Sequence, residues 1–279
     1  MKITYFGTTM LLFDDGRDQV LFDCHVTRPS IGTCLVGYLS TDTVVADKVI
    51  SQFGFDRLRA IFISHSHHDH VLDASYFANQ CGADIFGSES ALNVARGGKV
   101  LKEHLYSFRE NTSFQIGKYQ VTILPSIHSK AHWYNNDLGK TITQPLAQPT
   151  KKKDFKEGGS FDFLISHQDK TFLIRPSYNY LEGQFDTIQA DVLFLGISGL
   201  SKDSDERKKK FFYETINKVR PHTVIPVHWD NFFSPLYSEI RTLPKLMDNT
   251  SESMRLLAEY CFSKNITCIV QLPLTSIEL

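Results

Sequence analysis

One short run, Ser64-His65-Ser66-His67-His68-Asp69-His70, constrains this chain more than any other feature, because it places four potential metal ligands within six residues. It directly follows Ala60-Ile61-Phe62-Ile63, a short apolar stretch that reads as a buried strand. The donors therefore sit in the loop leaving a strand end, where a rigid sheet can aim them. Neutral imidazole nitrogens and carboxylate oxygens are what Zn²⁺ and related borderline cations bind. On this spacing His65 and His67 converge on one ion while Asp69 and His70 turn towards a second. The competing reading is a histidine-rich surface turn. Two later histidines, each behind an apolar strand-like run, weigh against it.

The first is His128, after Val121-Thr122-Ile123-Leu124-Pro125-Ser126-Ile127; the second is His228, after Thr223-Val224-Ile225-Pro226-Val227. The resulting order, His-x-His-x-Asp-His, then His, then His, resembles the metallo-β-lactamase superfamily over nearly the whole chain. That resemblance implies one metal on His65, His67 and His128, and a second on Asp69, His70 and His228. It implies zinc as the metal, in one or two ions, with manganese or iron as alternatives. It also implies a metal-dependent hydrolase in which Asp69 is both ligand and proton acceptor for the attacking water. The flavin-linked di-iron members of the superfamily usually carry glutamate where this chain has His67, and the histidine favours hydrolysis. No GxSxG nucleophile elbow is present, so a covalent acyl-enzyme is not expected.

One position departs from the common pattern. Many dinuclear members place a bridging aspartate after a strand lying between the last two histidines. The matching segment here is Thr171-Phe172-Leu173-Ile174-Arg175-Pro176-Ser177, with Ser177 at the bridging position. A serine hydroxyl is neutral and bridges poorly, so the second site is expected to be weaker. Short runs such as Leu21-Phe22-Asp23 and Ile225-Pro226-Val227-His228-Trp229-Asp230-Asn231 look like the branch containing L-ascorbate-6-phosphate lactonase and N-acyl phosphatidylethanolamine phospholipase D. The substrate class implied is a small-molecule ester, lactone or phosphodiester. The alternatives are a metal-dependent nuclease and a non-catalytic metal-binding member.

Composition narrows these choices. The 30 Lys plus Arg against 31 Asp plus Glu give a net charge of −1, which offers nothing to a polyanion, so no nucleic-acid partner is expected. The five cysteines are odd in number and lack CxxC spacing, which reads as reduced thiols. The first residues alternate like a strand, without the apolar core of a signal peptide. No apolar run approaches the roughly 20 residues that span a bilayer. A cytoplasmic protein acting on a small molecule is the expectation.

Strands are expected at 2–6, 9–13, 19–23, near 60, and at 83–86, 113–116, 119–124, 161–166, 170–175, 192–195, 223–227 and 267–272. Helices are expected at 43–53, 74–80, 89–95, 203–219 and 251–261. Strands clustered in each half with helices outside suggest an α+β fold, the four-layer αββα sandwich of the family. The expectation is one domain, 1–279, built from pseudo-duplicate halves at about 1–128 and 160–279. The joining loop, 129–159, holds His132, Trp133 and Tyr134 a few residues after His128, as candidate walls of a substrate pocket. Its Lys151-Lys152-Lys153 run reads as solvated. Asp23 ends a strand and is the candidate carboxylate behind a ligating histidine.

Overall fold

Alternation of side chains decides where each strand of the amino-terminal half goes. In β1 (Lys2–Gly7), β2 (Met10–Asp14), β3 (Gln19–Phe22) and β4 (Leu58–Phe62), alternate residues enter two different cores. Ile3, Tyr5, Leu11, Phe13, Val20, Phe22, Ala60 and Phe62 face one, while Phe6, Met10, Leu12, Leu21 and Ile61 face the other. A strand buried on both faces must lie inside a layered structure. The computed structural model describes residues 1–130 and 136–279 and has that architecture.

The first sheet is completed by β5 (Asp84–Gly87), β6 (Leu105–Ser107) and, from the far end of the chain, β14 (Thr275–Glu278), in the order β14-β1-β2-β3-β4-β5-β6. The second comprises β7 (Ser113–Ile116), β8 (Tyr119–Ser126), β9 (Ser160–His167), β10 (Lys170–Arg175), β11 (Val192–Gly196), β12 (Thr223–Val227) and β13 (Thr267–Cys268), in the order β13-β12-β11-β10-β9-β8-β7. Each sheet joins an antiparallel meander to a parallel set: β3 to β6 run parallel in one, β10 to β13 in the other. The division between the sheets falls between β6 and β7, ahead of the 129–159 segment that the sequence offers as the joint. The hairpin of β7 and β8 belongs with the strands that follow it.

Aromatic rings fill the space between the sheets. Phe13 meets Phe172 at 5.3 Å and Phe194 at 5.8 Å between centroids, and Phe22 meets Phe163 at 5.3 Å. Outside the first sheet lie α1 (Ile31–Val36), α2 (Thr43–Phe53), the short α3 (His68–Val71), α4 (Ala74–Cys81) and α5 (Glu89–Gly97). Phe55, Phe77, Ala46 and Val49 pack there with the first sheet's outer residues. The second sheet carries α6 (Asp205–Phe212) and α7 (Thr250–Ser263), whose Phe211, Phe212, Leu257 and Cys261 join its core. The result is an α+β, four-layer αββα sandwich. No helix among the described residues is long and apolar enough to cross a membrane.

Several expectations change. The strand expected at 267–272 ends at Cys268, and the last strand is β14, which crosses back to pair with β1. The sequence pattern marks neither β6 nor α1, nor the short α3. Both β6 and β14 are short edge strands defined by pairing with distant neighbours, with no local periodicity of their own.

Candidate metal centre

Parallel register sets the position of the site. Phe22 pairs with Phe62 across β3 and β4, so Asp23 and the histidine run leave the same edge of the first sheet. Arg175, Leu195 and Pro226 align across β10, β11 and β12, so Ser177 and His228 leave one edge of the second. His128 follows β8, which reaches the site through β9. The loop after β4 folds tightly into α3, with the His70 N–H donating to the His67 carbonyl at 3.0 Å. It is held from outside by Gly158 (φ +72°), where a side chain would collide with Ser66 and Ser90.

The six histidine and aspartate donors expected from the sequence form two groups. His65, His67 and His128 bring one ligand atom each within 4.8 Å of one another, and Asp69, His70 and His228 do the same. In the first group, His67 Nδ1 lies 3.2 Å from His128 Nε2, and the buried Nε2 of His65 has no hydrogen-bond partner. In the second, Asp69 Oδ2 stands 3.4 Å from His228 Nε2 and 3.6 Å from His70 Nε2. The His65 and His70 rings are 3.8 Å apart between centroids, so the two groups adjoin. Buried nitrogens aimed at one another without a proton donor between them fit a cation there.

Their protonation states suit that fit. Burial, with His70, His128 and His67 alongside, drives His65 well below the usual imidazole range. His128 is pushed down to about 3, chiefly by burial and by His67. Burial works against ionisation of Asp69, yet His70 and His228 hold its carboxyl well below the usual carboxylate range. At neutral pH both imidazoles are neutral and the carboxylate is charged, the forms that bind a cation.

Asp23 stands behind His70. Its Oδ2 is 2.7 Å from His70 Nδ1 and accepts from the hydroxyls of Thr9 and Ser64, while Oδ1 accepts from the Ser64 N–H at 2.8 Å. A carboxylate on Nδ1 fixes the tautomer that leaves Nε2 free as a ligand. Asp230, two residues after His228, takes the Thr8 N–H at 2.7 Å and the Tyr5 hydroxyl at 2.9 Å, and pairs with Arg28 at 2.8 Å. His228 itself is in left-handed backbone (φ +57°), with its N–H donating to the Thr8 carbonyl at 2.5 Å. Such strain at a non-glycine residue concentrates at functional sites.

Ser177 lies buried on the turn after β10. That turn touches the site through Asn179, whose Nδ2 donates to the His128 carbonyl at 2.7 Å. His68 lies outside both groups, with Nε2 3.7 Å from Cys34 Sγ. His132, Trp133 and Tyr134 lie outside the described residues. All five cysteines are free.

Sequence reasoning missed Asp137. Its Oδ1 is 3.1 Å from His67 Nε2, on the ring edge opposite His128. The buried Glu157 secures the turn that carries it, accepting from the Gly139 N–H at 2.8 Å. Nothing in the spacing marks Asp137, because it arrives from a long irregular segment. Replacing it by alanine should free the His67 ring and weaken metal binding by about 10- to 100-fold. Competition against a chelator measures this, and an unchanged affinity would exclude Asp137 as a support for His67.

The chain is similar to known proteins in sequence and in fold. Residues 49–128 match the family model described as the metallo-beta-lactamase superfamily, a span that includes four of the five histidine donors and Asp69. The metal-dependent hydrolase YtkL of Bacillus subtilis is 25% identical over 237 residues, covering 83% of this chain and 87% of YtkL. The chain resembles the metallo-β-lactamase superfamily through residues 49–128 and through its fold. In fold, in donor set and in its likeness to YtkL over most of both chains, it resembles the metal-dependent hydrolases of that superfamily. Ribonuclease J 1 of Streptococcus pyogenes is 28% identical over 132 residues, which span 45% of this chain but only 22% of that protein. Among solved structures, the metallo-beta-lactamase fold protein YhfI of Bacillus subtilis superposes with a TM-score of 0.59 at 17% identity, covering 99% of each chain.

Proposed function

We propose that this hydrolase cleaves an ester, lactone or phosphodiester bond of a small molecule, using zinc held by His65, His67 and His128 and by Asp69, His70 and His228. The observation that carries the reading is the convergence of six donors from two sheets, with the buried His65 nitrogen left unpartnered. A bound divalent cation polarises a carbonyl or phosphoryl oxygen and lowers the pKa of water from 15.7 to about 7. The chain's own residues do the rest. Asp69, kept ionised by His70 and His228, orients the attacking water and accepts its proton. Asp23 and Asp137 hold the His70 and His67 rings in the tautomers that present a lone pair to the centre. A hydrolysis panel of lactones, thioesters and phosphodiesters, run on metal-analysed protein, tests the proposal. Metal content without turnover on any of them would favour a non-catalytic metal-binding role.

The likeness to ribonuclease J 1 supports a second reading, a nuclease. The near-balanced charge argues against it, since phosphate contacts from lysine and arginine supply most nucleic-acid affinity. Salt-sensitive binding to RNA would overturn the small-molecule assignment.

Ser177 bears on the number of ions. If Ser177 occupies the bridging position, one anionic side chain, Asp69, serves the second group. Metal titration should then resolve two unequal sites, with the weaker filling only at excess metal. Ser177→Asp should tighten the weaker one by about tenfold or more, on the scale of a charge-assisted interaction. Two equally tight sites, unmoved by that substitution, would show that Ser177 does not occupy the bridging position.

A further inference from the structure

Two features are not used by the hydrolytic reading: helix α1 and the lysine run. α1 is six residues long, started by Ser30, whose hydroxyl accepts from the Thr33 N–H at 3.1 Å, and stopped at Gly37. Its inward residue is Cys34, packed beside His68. On its other side Ile31 and Leu35 stand one turn apart. Ile31 is 43% exposed, Leu35 71%, Val36 85% and Tyr38, just beyond the helix, 62%. Single exposed apolar residues need no explanation, but four within eight positions mark a contact surface.

The lysines lie alongside. Leu39 and Thr150 exchange backbone hydrogen bonds of 2.6 and 3.0 Å, which brings Lys151 Nζ to 5.5 Å from the Tyr38 ring centroid. Lys151 and Lys153 are exposed, and Lys152 and Lys156 half-buried. The acidic group among them, Asp154, is occupied by the Thr150 hydroxyl at 2.9 Å and the Lys151 N–H at 3.2 Å. Four lysines against one aspartate leave a local charge of +3 on a chain whose net charge is −1.

We propose that α1 and the 151–156 segment form a face that docks on an anionic lipid surface. Leu35 and Val36 enter the boundary between headgroups and acyl chains, Tyr38 sits at headgroup level, and the lysines lie over the phosphates. Protruding aliphatic side chains rimmed by basic residues bind interfaces in this way. Protein partners fit less well, since protein–protein interfaces are depleted in lysine and favour arginine. The face adjoins the candidate metal centre on both sides: Cys34 contacts His68, and the Ser66 hydroxyl donates to the Lys156 carbonyl at 2.6 Å.

The test uses the full chain, with vesicles of phosphatidylcholine alone or phosphatidylcholine containing phosphatidylglycerol, and reads co-sedimentation. Because no turnover is measured, its outcome is independent of the hydrolytic reading. Binding should appear only with phosphatidylglycerol and weaken with salt. It should fall about fivefold for each of Lys151→Gln, Lys152→Gln and Lys153→Gln. A double variant, Leu35→Asp with Val36→Asp, should lose about tenfold or more. Circular dichroism and bound-metal content check that each variant is folded. No binding to either vesicle, or binding that neither set of substitutions alters, would overturn the proposal. So would a wild-type dimer in light scattering that Leu35→Asp dissociates, because the face would then belong to a second copy.

Discussion

Asp69→Ala should lower turnover by on the order of 10²- to 10⁴-fold, the usual contribution of a positioned proton acceptor. The carboxylate lies between His70 and His228, which hold it ionised against its burial. Removing it takes the anionic side chain from the second donor group and, on the proposed mechanism, would free the attacking water from its orienting partner. Asp69 sits on the short α3 after β4, outside the sheet ladders, so the fold should survive. Asp69→Asn separates charge from shape: it keeps the side-chain volume and should be nearly as inactive. A folded, metal-replete Asp69→Ala protein with wild-type rates would rule the role out.

The largest effect on stability should come from a different pair. Arg175 and Asp162 are both fully buried, joined by Nε to Oδ2 at 2.8 Å. Asp162 also accepts from Ser126 Oγ at 2.8 Å and Gln184 Nε2 at 2.9 Å, and the guanidinium lies 5.0 Å from the Phe185 ring centroid. Asp162→Ala strands the buried cation and should cost about 3–5 kcal/mol. Against a total stability of about 5–15 kcal/mol, that is a large fraction. Replacing both partners, with Asp162→Leu and Arg175→Met, should recover part of the loss, since an apolar pair leaves no uncompensated charge. Urea denaturation measures both variants. A loss below about 1 kcal/mol for the single substitution would mean that water or another group reaches Arg175.

Arg175 also illustrates where sequence reading stops. Within Thr171-Phe172-Leu173-Ile174-Arg175 it looks like the polar end of a strand, and only the tertiary structure shows it to be buried against Asp162. Elements with local signals were legible. Helix α2 begins and ends as expected, at Thr43 and Phe53, because Asp42 caps its first turn and Gly54 ends it. Strand β10 likewise matches the expected 170–175. The donor groups could be read because each donor follows an apolar strand, and strand ends carry residues to one edge of a sheet. Asp137, Thr9 and the Arg28–Asp230 pair could not be read, since each depends on contacts between segments far apart in sequence.

Each donor group draws on both sheets: His65, His67, Asp69 and His70 follow β4, whereas His128 and His228 follow strands of the second. A cation held in this way is a crosslink across the interface between the layers, and the unfolded chain has no equivalent of it. Occupancy and folding are then thermodynamically linked, so that free metal at 100 times its dissociation constant adds about 2.7 kcal/mol to the native state. Metal supply would thereby set how long the sandwich stays closed as well as how fast it turns over.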